Sequence, residues 1–364
     1  MPTVFDRSNN QGAKDPSRNV GPSWTSRSAQ MFAFQNVSAL YLLVLVVIVF
    51  AIWIPDLFFN TDTIAQVLNE NAAPGIIALA LVVPLAAGIY DLSIGYTLGA
   101  VSVFVAYMLG HTDLAPALCI LLGLLLGFAI GCVNGFIVVV LKVDSFIATL
   151  ASGSLLEALI LIISGDTQQT EGITKGFTDI ARDKIGNFTL PVFFCLIIAA
   201  ILWFFLEHRA IGRQTHASGL APEASRLAGI RVDSIRFVSL IVSALLAAVA
   251  GIVVTATVGG GSPTVGPAYL IPAFAAAFLG ATQLKGGLFN AWGTILAVIL
   301  LGTTYTGLTL AGVPIWMPFV VTGVVLIAAL AMAGFKRRTS GGERAQPDDP
   351  RSEMQASGAE SGSH

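Results

Sequence analysis

Charged residues are scarce in this sequence. Asp, Glu, Lys and Arg make up only 11% of its 364 residues, whereas soluble domains average about 25%. With 55% hydrophobic residues, the chain has too little polar surface for a water-soluble fold of this length. We therefore expect a polytopic membrane protein.

Cysteine and histidine are also rare, with three and four copies. Cys119, Cys132 and Cys195 lie in apolar runs without the spacing of metal ligands, so we interpret them as small core residues. No two histidines have ligand spacing either. No metal is expected in this chain.

Signature motifs of nucleotide binding and of common hydrolases are missing. There is no Gly-x-x-x-x-Gly-Lys-Ser/Thr phosphate loop, no His-Glu-x-x-His zinc motif and no Gly-x-Ser-x-Gly nucleophile motif. The chain is therefore not expected to be an enzyme or to carry a nucleotide site of its own.

Long apolar runs are what the sequence has in abundance, and a helix needs about 20 such residues to cross the hydrocarbon core. Seven runs are continuous: 37–54, 115–141, 146–164, 190–206, 237–258, 291–310 and 315–335. Three more, 73–89, 93–109 and 267–284, are interrupted by Gly, Pro or polar residues. The pattern predicts an all-α fold of about ten transmembrane helices within residues 31–337.

The polar residues outside these runs predict the topology. Residues 1–30 and 338–364 are polar and rich in Ser, Gly and Asp, so we expect disordered tails. If both tails are cytoplasmic, sixteen of the nineteen Lys and Arg residues lie inside, and only Lys175, Arg182 and Lys184 lie outside. The positive-inside rule then favours an even number of spans with both termini in the cytoplasm. The outer stretch 165–187 is long enough to form a small cap.

A charged loop at residues 208–236 contains five arginines, at positions 209, 213, 226, 231 and 236. Within it, residues 222–228 are expected to form a short helix, because Pro222 suits the first helical position and Gly229 can end the helix. Glu223 favours the positive helix start. A short helix outside the membrane suggests a docking point for another protein. The residues expected to make that contact are Pro222, Glu223, Ala224, Arg226, Leu227 and Gly229.

Asp91 stands between two interrupted apolar runs, where an unpartnered carboxylate is costly. In one interpretation, Asp91 or Ser93 caps the following helix by accepting hydrogen bonds from its free N–H groups. In the other, the broken helix lines a solute pathway, where irregular backbone can face water. The two interpretations are compatible.

Glu157 is a second carboxylate within an apolar run. It follows Ser145, Thr149 and Gly153 at four-residue spacing, with Ser152 near the same stripe, which predicts one small and polar helix face. This face is expected to point at a pathway or at a helix contact. The predicted substrate pathway is lined by Asp91, Ser93, Asn134, Thr149, Ser152 and Glu157.

Glycine recurs at every fourth position of one run: Gly123, Gly127, Gly131 and Gly135. Small residues at this spacing allow helix backbones to approach closely. We therefore expect this face to pack tightly against a neighbouring helix.

Four stretches, taken in order, resemble the permease subunit of ribose/xylose-type ABC sugar importers. GIYDLSIG at 88–95 is similar to Gly-x-x-Asp-Leu-Ser-Val-Gly in that family, and DSFIATLASGSLL at 144–156 is similar to its Phe-Ile-x-Thr-Leu segment. EASRLAGI at 223–230 resembles the family's coupling segment. FLGATQLKGG at 278–287, followed by Gly293 and Thr294, resembles its glycine-rich pattern. The likeness extends from about residue 72 to residue 330.

The resemblance implies a multi-pass subunit of the bacterial inner membrane that carries a sugar or polyol by alternating access. Its implied partners are a second permease copy, a cytoplasmic ABC ATPase, a periplasmic or lipid-anchored sugar-binding protein and membrane lipid, with no nucleic acid. ATP would bind to the ATPase, which would dock on the coupling helix at 222–229. The chain itself would need no cofactor.

The chain departs from the family pattern at several positions. Ala221 and Ala228 replace an Asn and a Ser around the coupling helix, and Glu157 stands where relatives often have arginine. Pro272 or a neighbour replaces an acidic residue, and Phe289 replaces a usual Gly. We expect these differences to affect the choice of sugar more than the docking of an ATPase.

Two other classes of membrane protein share some of these features. A secondary transporter or channel for a small polar solute would also lack a nucleotide site, but it would need no docking helix, and only Asp91 and Glu157 could serve as its intramembrane charges. An intramembrane aspartyl protease would need a second Asp in Gly-x-Gly-Asp. The nearest match, at residues 164–166, lacks the first Gly.

Overall fold

The computed structural model describes residues 34–58, 60–283 and 287–342. Most of the predicted tails, at 1–30 and 343–364, and the basic residue Lys285 lie outside the described residues. The described residues are helical almost throughout, which confirms the all-α prediction. The last helix continues to Gly342 and so includes the first five residues of the predicted C-terminal tail.

The helices are numbered here in chain order. The first group is α1 (Phe34–Trp53), α2 (Pro55–Phe58), α3 (Thr61–Glu70), α4 (Ala72–Ala86) and α5 (Ile94–His111). The second is α6 (Pro116–Gly135), α7 (Ser145–Ser164), α8 (Lys175–Arg182) and α9 (Leu190–Trp203). The third is α10 (Ala210–Leu220), α11 (Pro222–Leu227), α12 (Val232–Val258), α13 (Val265–Gln283), α14 (Ala291–Leu310) and α15 (Met317–Gly342). A hairpin of β1 (Lys184–Ile185) and β2 (Phe188–Thr189) precedes α9.

Two of the helices end in a π-helical turn, in which the hydrogen bonds are one residue wider than in an α-helix. The turn Phe136–Val140 extends α6, and the turn Phe204–His208 extends α9. Both turns lengthen an apolar helix towards the same side of the protein, the side that carries α10 and α11. This side is called the α11 side below.

Seven of the described helices are long and apolar enough to cross a membrane: α5, α6 with its extension, α7, α9 with its extension, α12, α13 and α14. The helices α3 and α4 meet at a bend of 45° and make an eighth candidate if they are counted as one broken span. The described apolar parts of α1 and α15, Leu40–Trp53 and Met317–Ala331, are shorter. The chain is thus a multi-pass membrane protein, but the predicted count of ten spans is not confirmed.

The core is built around α12, which packs against α4, α5 and α6. The helix α4 is the most enclosed of the candidate spans, and Ile76, Ile77 and Leu79 on it are fully buried. An apolar helix surrounded on all sides lies inside a bundle, whereas one with a single covered face borders lipid or another protein. By this criterion α7 is peripheral, because it packs mainly on α5.

Polar residues set the ends of the spans. Asp144 caps α7 by accepting hydrogen bonds from the N–H groups of Phe146, at 3.0 Å, and Ile147, at 3.3 Å. Gly165 ends the same helix with a left-handed backbone, φ +56°. Asn290 caps α14 through a 2.7 Å hydrogen bond from the N–H of Gly293.

Residues 165–187 form a small cap on the side opposite α11. The cap contains α8, whose Phe177 is fully buried. It is tied to the bundle by Arg182, which donates to the carbonyl oxygen of Thr257 at 3.0 Å, and by a backbone bridge between Gln169 and Gly261. The structure therefore has one cap side and one α11 side.

Candidate functional site

A non-helical segment at residues 87–93 separates α4 from α5. Its residues Ala87, Ile89, Asp91 and Ser93 are buried, whereas Gly88 and Tyr90 are exposed. It is called the buried segment below after these four residues. Asp91 lies in it with 1% of its surface exposed. The Oδ1 of its carboxylate accepts hydrogen bonds from the N–H of Ser93 at 3.1 Å and from the Ser93 hydroxyl at 2.6 Å. Its Oδ2 accepts one from the Ser243 hydroxyl on α12 at 2.7 Å. Asp91 therefore joins the segment to α12.

Other polar groups of the segment bond to α6 and α7. The side-chain amide of Asn134 donates to the Ser93 hydroxyl at 2.8 Å. The N–H groups of Tyr90 and Leu92 donate to the hydroxyls of Ser145, at 3.1 Å, and Thr149, at 2.9 Å. Buried backbone donors need such partners when no helix supplies them. The polar residues thus hold an irregular segment in one conformation.

Asp91 and Ser93 were predicted either to cap α5 or to line a solute pathway. The carboxylate of Asp91 bonds the N–H of Ser93, the residue before α5 begins, and Ser93 itself makes no side-chain cap to that helix. Neither residue therefore caps α5 as predicted, because Asp91 accepts from the residue before the helix and not from an N–H group of its first turn. The candidate pathway residues Asp91, Ser93, Asn134, Thr149 and Ser152 are all buried, so in this conformation they are enclosed.

Glu157 is separated from that group. Ser145, Thr149, Ser152 and Gly153 are buried, whereas Glu157 on the same helix is exposed. The reason is the helical pitch: each four-residue step advances about 40° beyond a full turn, so twelve residues after Ser145 the direction has turned by about 120°. Glu157 makes no hydrogen bond or ion pair with the described residues, and it lies among exposed apolar side chains such as Leu155 and Ile162.

The glycine stripe of α6 lies against two helices. A Cβ at Gly127 would be 2.5 Å from the Cβ of Ala248, and one at Gly131 would be 2.7 Å from the Cα of Ile241, both on α12. A Cβ at Gly123 would be 2.5 Å from Val105 on α5. Larger residues would push these helices apart.

The end of α10 touches the non-helical segment through two glycines. A Cβ at Gly88 would lie 2.8 Å from the Cα of Gly219. A Cβ at Gly219 would overlap the carbonyl oxygen of Ala86 and lie 2.9 Å from the backbone nitrogen of Gly88. Gly88 also has a left-handed backbone, φ +75°, which favours glycine. The charged loop and the buried segment are therefore in direct backbone contact.

The short helix α11 is exposed on the surface. Pro222 is its first residue, Ala221 before it makes no side-chain cap, and Gly229 follows it with φ +82°. The side chain of Leu227 is 91% exposed, an unusual position for a large apolar residue that ends a helix. The other candidate coupling residues are exposed as well, apart from the half-buried Pro222.

Arg226 joins α11 to the start of α12. Its guanidinium donates to Glu223 at 2.6 Å and to Asp233 at 2.9 Å. The hydrogen bond with Asp233, followed by the negative charges of Asp233 and Glu223, raises the pKa of Arg226 above its usual value. The arginine stays charged at every physiological pH.

Two features of the site were not predicted from the sequence. One is Ser243, which lies 152 residues from Asp91 in the chain. A weak signal exists, since Ser239 and Ser243 are four residues apart in an otherwise apolar run and both are buried. The other is the contact of Gly88 with Gly219, for which a single sequence contains no signal.

The described residues contain no group of three or more His, Cys, Asp or Glu side chains placed to hold a metal ion. Cys119 and Cys195 are buried and Cys132 is half-buried, each as a free thiol. Phe289, which stands in place of a glycine, packs edge-to-face on Phe278, with ring centres 5.4 Å apart.

A family profile and several relatives that match this chain are transport permeases. The family profile described as branched-chain amino acid transport system / permease component matches residues 63–330. The ribose import permease protein of Haemophilus influenzae is 31% identical over 303 residues, which cover 82% of this chain and 93% of the relative. The D-allose transport system permease protein of Escherichia coli is 31% identical over 294 residues, 80% and 89% of the two chains.

A third relative, the fructose import permease protein of Rhizobium meliloti, is 31% identical over 323 residues, which cover 85% of this chain and 89% of the relative. No solved structure matches the chain.

Proposed function

The chain belongs to the family of branched-chain amino acid transport system permease components, and on this basis we propose that it is the membrane subunit of an ATP-driven sugar importer. The observation that carries the proposal is the similarity to sugar permeases over more than four fifths of the chain. The chain moves a solute and forms no covalent bond.

The proposed solute is a monosaccharide. The similar proteins are named for ribose, allose and fructose, at nearly equal identity to this chain. Such equal similarity supports the substrate class and does not favour one sugar within it. We expect a separate sugar-binding protein to select the sugar and to dock on the cap side, where residues 165–187 lie.

A cytoplasmic ATPase is the proposed partner on the α11 side. This orientation agrees with the basic residues of the charged loop, which favour the cytoplasm. The exposed α11 offers an apolar anchor, Leu227, beside a charged pair, Arg226 and Glu223. Apolar anchors of this kind, surrounded by polar residues, often carry much of the binding energy of an interface.

Leu227→Ala is expected to weaken ATPase binding by roughly 30-fold, which corresponds to about 2 kcal/mol for a buried interface anchor. The permease itself should keep its stability, because Leu227 is 91% exposed in the free chain. The measurement is the affinity of the purified permease for its ATPase. The matched control is Ile185→Ala, which removes an exposed apolar side chain on the cap side and should leave the affinity unchanged. Equal affinities for wild type and Leu227→Ala would contradict the docking assignment.

We place the solute pathway along the exposed face of α7, between two copies of the chain. The polar residues around Asp91 are enclosed within one copy, so they offer no open route in this conformation. The face with Glu157 is open instead. A carboxylate in the middle of a span costs about 2.5–3.5 kcal/mol if it faces lipid, so a water-filled pathway or a second protein surface is the favoured environment for Glu157.

Glu157→Gln is expected to reduce sugar uptake at least several-fold while leaving expression and assembly unchanged, because only the charge facing the pathway is lost. Uptake per mole of assembled transporter is the quantity to measure. Glu70→Gln makes the same change at an exposed residue of α3, outside the cap at 165–187, and should behave as wild type. Unaltered uptake in Glu157→Gln would remove the residue from the pathway.

In the proposed mechanism, the movement driven by ATP hydrolysis passes from α11 through α10 to the buried segment. Closure of the ATPase dimer would move α11 and α10, and the contact of Gly219 with Gly88 would transmit that movement to residues 87–93. The segment is bonded to α6, α7 and α12. A displacement of it would therefore change the packing of α7 next to the proposed pathway.

A further inference from the structure

A cavity of about 520 Å³ lies on the α11 side, between the turn that joins α6 to α7 and the first turns of α12. Its wall includes Gly88 and Ile89 of the buried segment and Arg226 at the end of α11. The cavity therefore borders both parts of the proposed coupling path. It is separate from the exposed face of α7 that carries Glu157.

Five charged side chains line the cavity: Lys142, Asp144, Arg226, Asp233 and Arg236. Both acids are already engaged. Asp144 accepts hydrogen bonds from N–H groups at the start of α7, and Asp233 accepts a hydrogen bond from Arg226. The formal charge of the lining is +1, from three cations and two acids.

The two other cations have no partner among the described residues. Lys142 makes no ion pair, and its backbone is left-handed, φ +57°. The Nε of Arg236 is buried and makes no hydrogen bond. A buried, unsatisfied donor on a charged group is costly. The cavity therefore presents an excess of hydrogen-bond donors and one unbalanced positive charge.

Val138, Val139 and Val143 line the cavity on the side of α6 and form its apolar rim. Phe136, Val140 and Leu141 are 49%, 56% and 58% exposed, at the end of a helix whose outer face borders the membrane. A ligand that fits both surfaces has an anionic group for the two cations and a hydrocarbon part for the rim. Basic pockets between helices at the cytoplasmic surface bind the head groups of anionic lipids in this way.

We propose that this cavity binds the head group of an anionic phospholipid. The phosphodiester oxygens accept hydrogen bonds from Arg236 and Lys142, and the single negative charge balances the lining. The acyl chains lie along the exposed end of α6. Because Arg226 and Asp233 share the cavity, the bound lipid supports the start of α12 beside the coupling helix.

The test is lipid retention by the full-length chain. The protein is reconstituted with equal amounts of phosphatidylglycerol and phosphatidylcholine and extracted, and the retained lipids are counted by native mass spectrometry. Wild type is expected to retain phosphatidylglycerol preferentially. Each basic side chain near a lipid surface contributes about a five-fold preference. We therefore expect the preference to fall about five-fold in Lys142→Gln and roughly 25-fold in the double variant Lys142→Gln with Arg236→Gln.

The matched control is the double variant Arg209→Gln with Arg213→Gln, which removes two charges from the same loop region outside the cavity and should retain phosphatidylglycerol as wild type does. Lys142 is exposed, so its single variant tests the site even if the double variant fails to fold. An unchanged preference in Lys142→Gln, or an equal loss in the control, would overturn the proposal. Release of the lipid by excess inorganic phosphate would also overturn it, because the cavity would then be a site for free phosphate. Reduced ATPase affinity with unchanged lipid retention would assign it to the partner protein.

Discussion

Asp91→Ala is expected to abolish sugar uptake and to destabilise the protein by about 3–5 kcal/mol. The substitution removes the acceptor of three hydrogen bonds, which come from the backbone and hydroxyl of Ser93 and from the hydroxyl of Ser243. A buried donor left without a partner costs about 1–3 kcal/mol. The N–H of Ser93 lies before the first turn of α5, so no helical hydrogen bond replaces the one it loses.

Asp91→Asn is the control for this prediction. The amide oxygen can accept the hydrogen bonds from Ser93, and the amide nitrogen can donate to the hydroxyl of Ser243. We expect a loss of stability below about 1.5 kcal/mol and substantial residual uptake. Thermal unfolding in detergent and uptake per mole of folded protein are the two measurements. A stable Asp91→Ala variant would contradict the structural role. A stable but inactive Asp91→Asn variant would show that the carboxylate charge itself acts in transport.

Gly219→Ala is expected to reduce uptake by more than ten-fold while the permease still binds its ATPase. The new methyl group would overlap the carbonyl oxygen of Ala86, so the end of α10 must move away from the buried segment. Overpacking of this kind costs about 1–3 kcal/mol. The affinity for the ATPase should be retained, because α11, not Gly219, carries the proposed docking surface.

The control for Gly219→Ala is Gly323→Ala on α15. A Cβ at Gly323 would meet no atom within 4 Å, and alanine favours a helix by about 1 kcal/mol over glycine. This variant should be as active as wild type and slightly more stable. ATP hydrolysis and uptake are measured together in each variant. Tightly coupled transport in Gly219→Ala would exclude the glycine contact as the path of coupling.

The parts of the fold that depend on local sequence were predictable. Span positions follow from apolar runs of about 20 residues, and α7, α12 and α14 lie within a few residues of the predicted runs. The short helix α11 followed from Pro222 and Gly229, because proline fixes a helix start and glycine permits the left-handed residue that ends one.

The parts that depend on distant contacts were not predictable. The exposure of Glu157 results from the rotation of about 40° that accumulates with each four-residue step, so a regular spacing over twelve residues did not keep it on one face. The helix α3 and its bend of 45° against α4 were missed as well. The sequence of α3 is amphipathic and too polar to indicate a transmembrane helix. Ser243 and Gly219 contribute to the site only through the packing of helices far apart in sequence.

The most direct test of the central claim is sugar accumulation in proteoliposomes that contain the chain, its ATPase and its sugar-binding protein. Labelled ribose, allose and fructose serve as probes. The account predicts that at least one sugar accumulates against its gradient, and that accumulation requires the ATPase, ATP and the binding protein together. Accumulation driven by an ion gradient without ATP, or no accumulation of any sugar by the complete assembly, would contradict it.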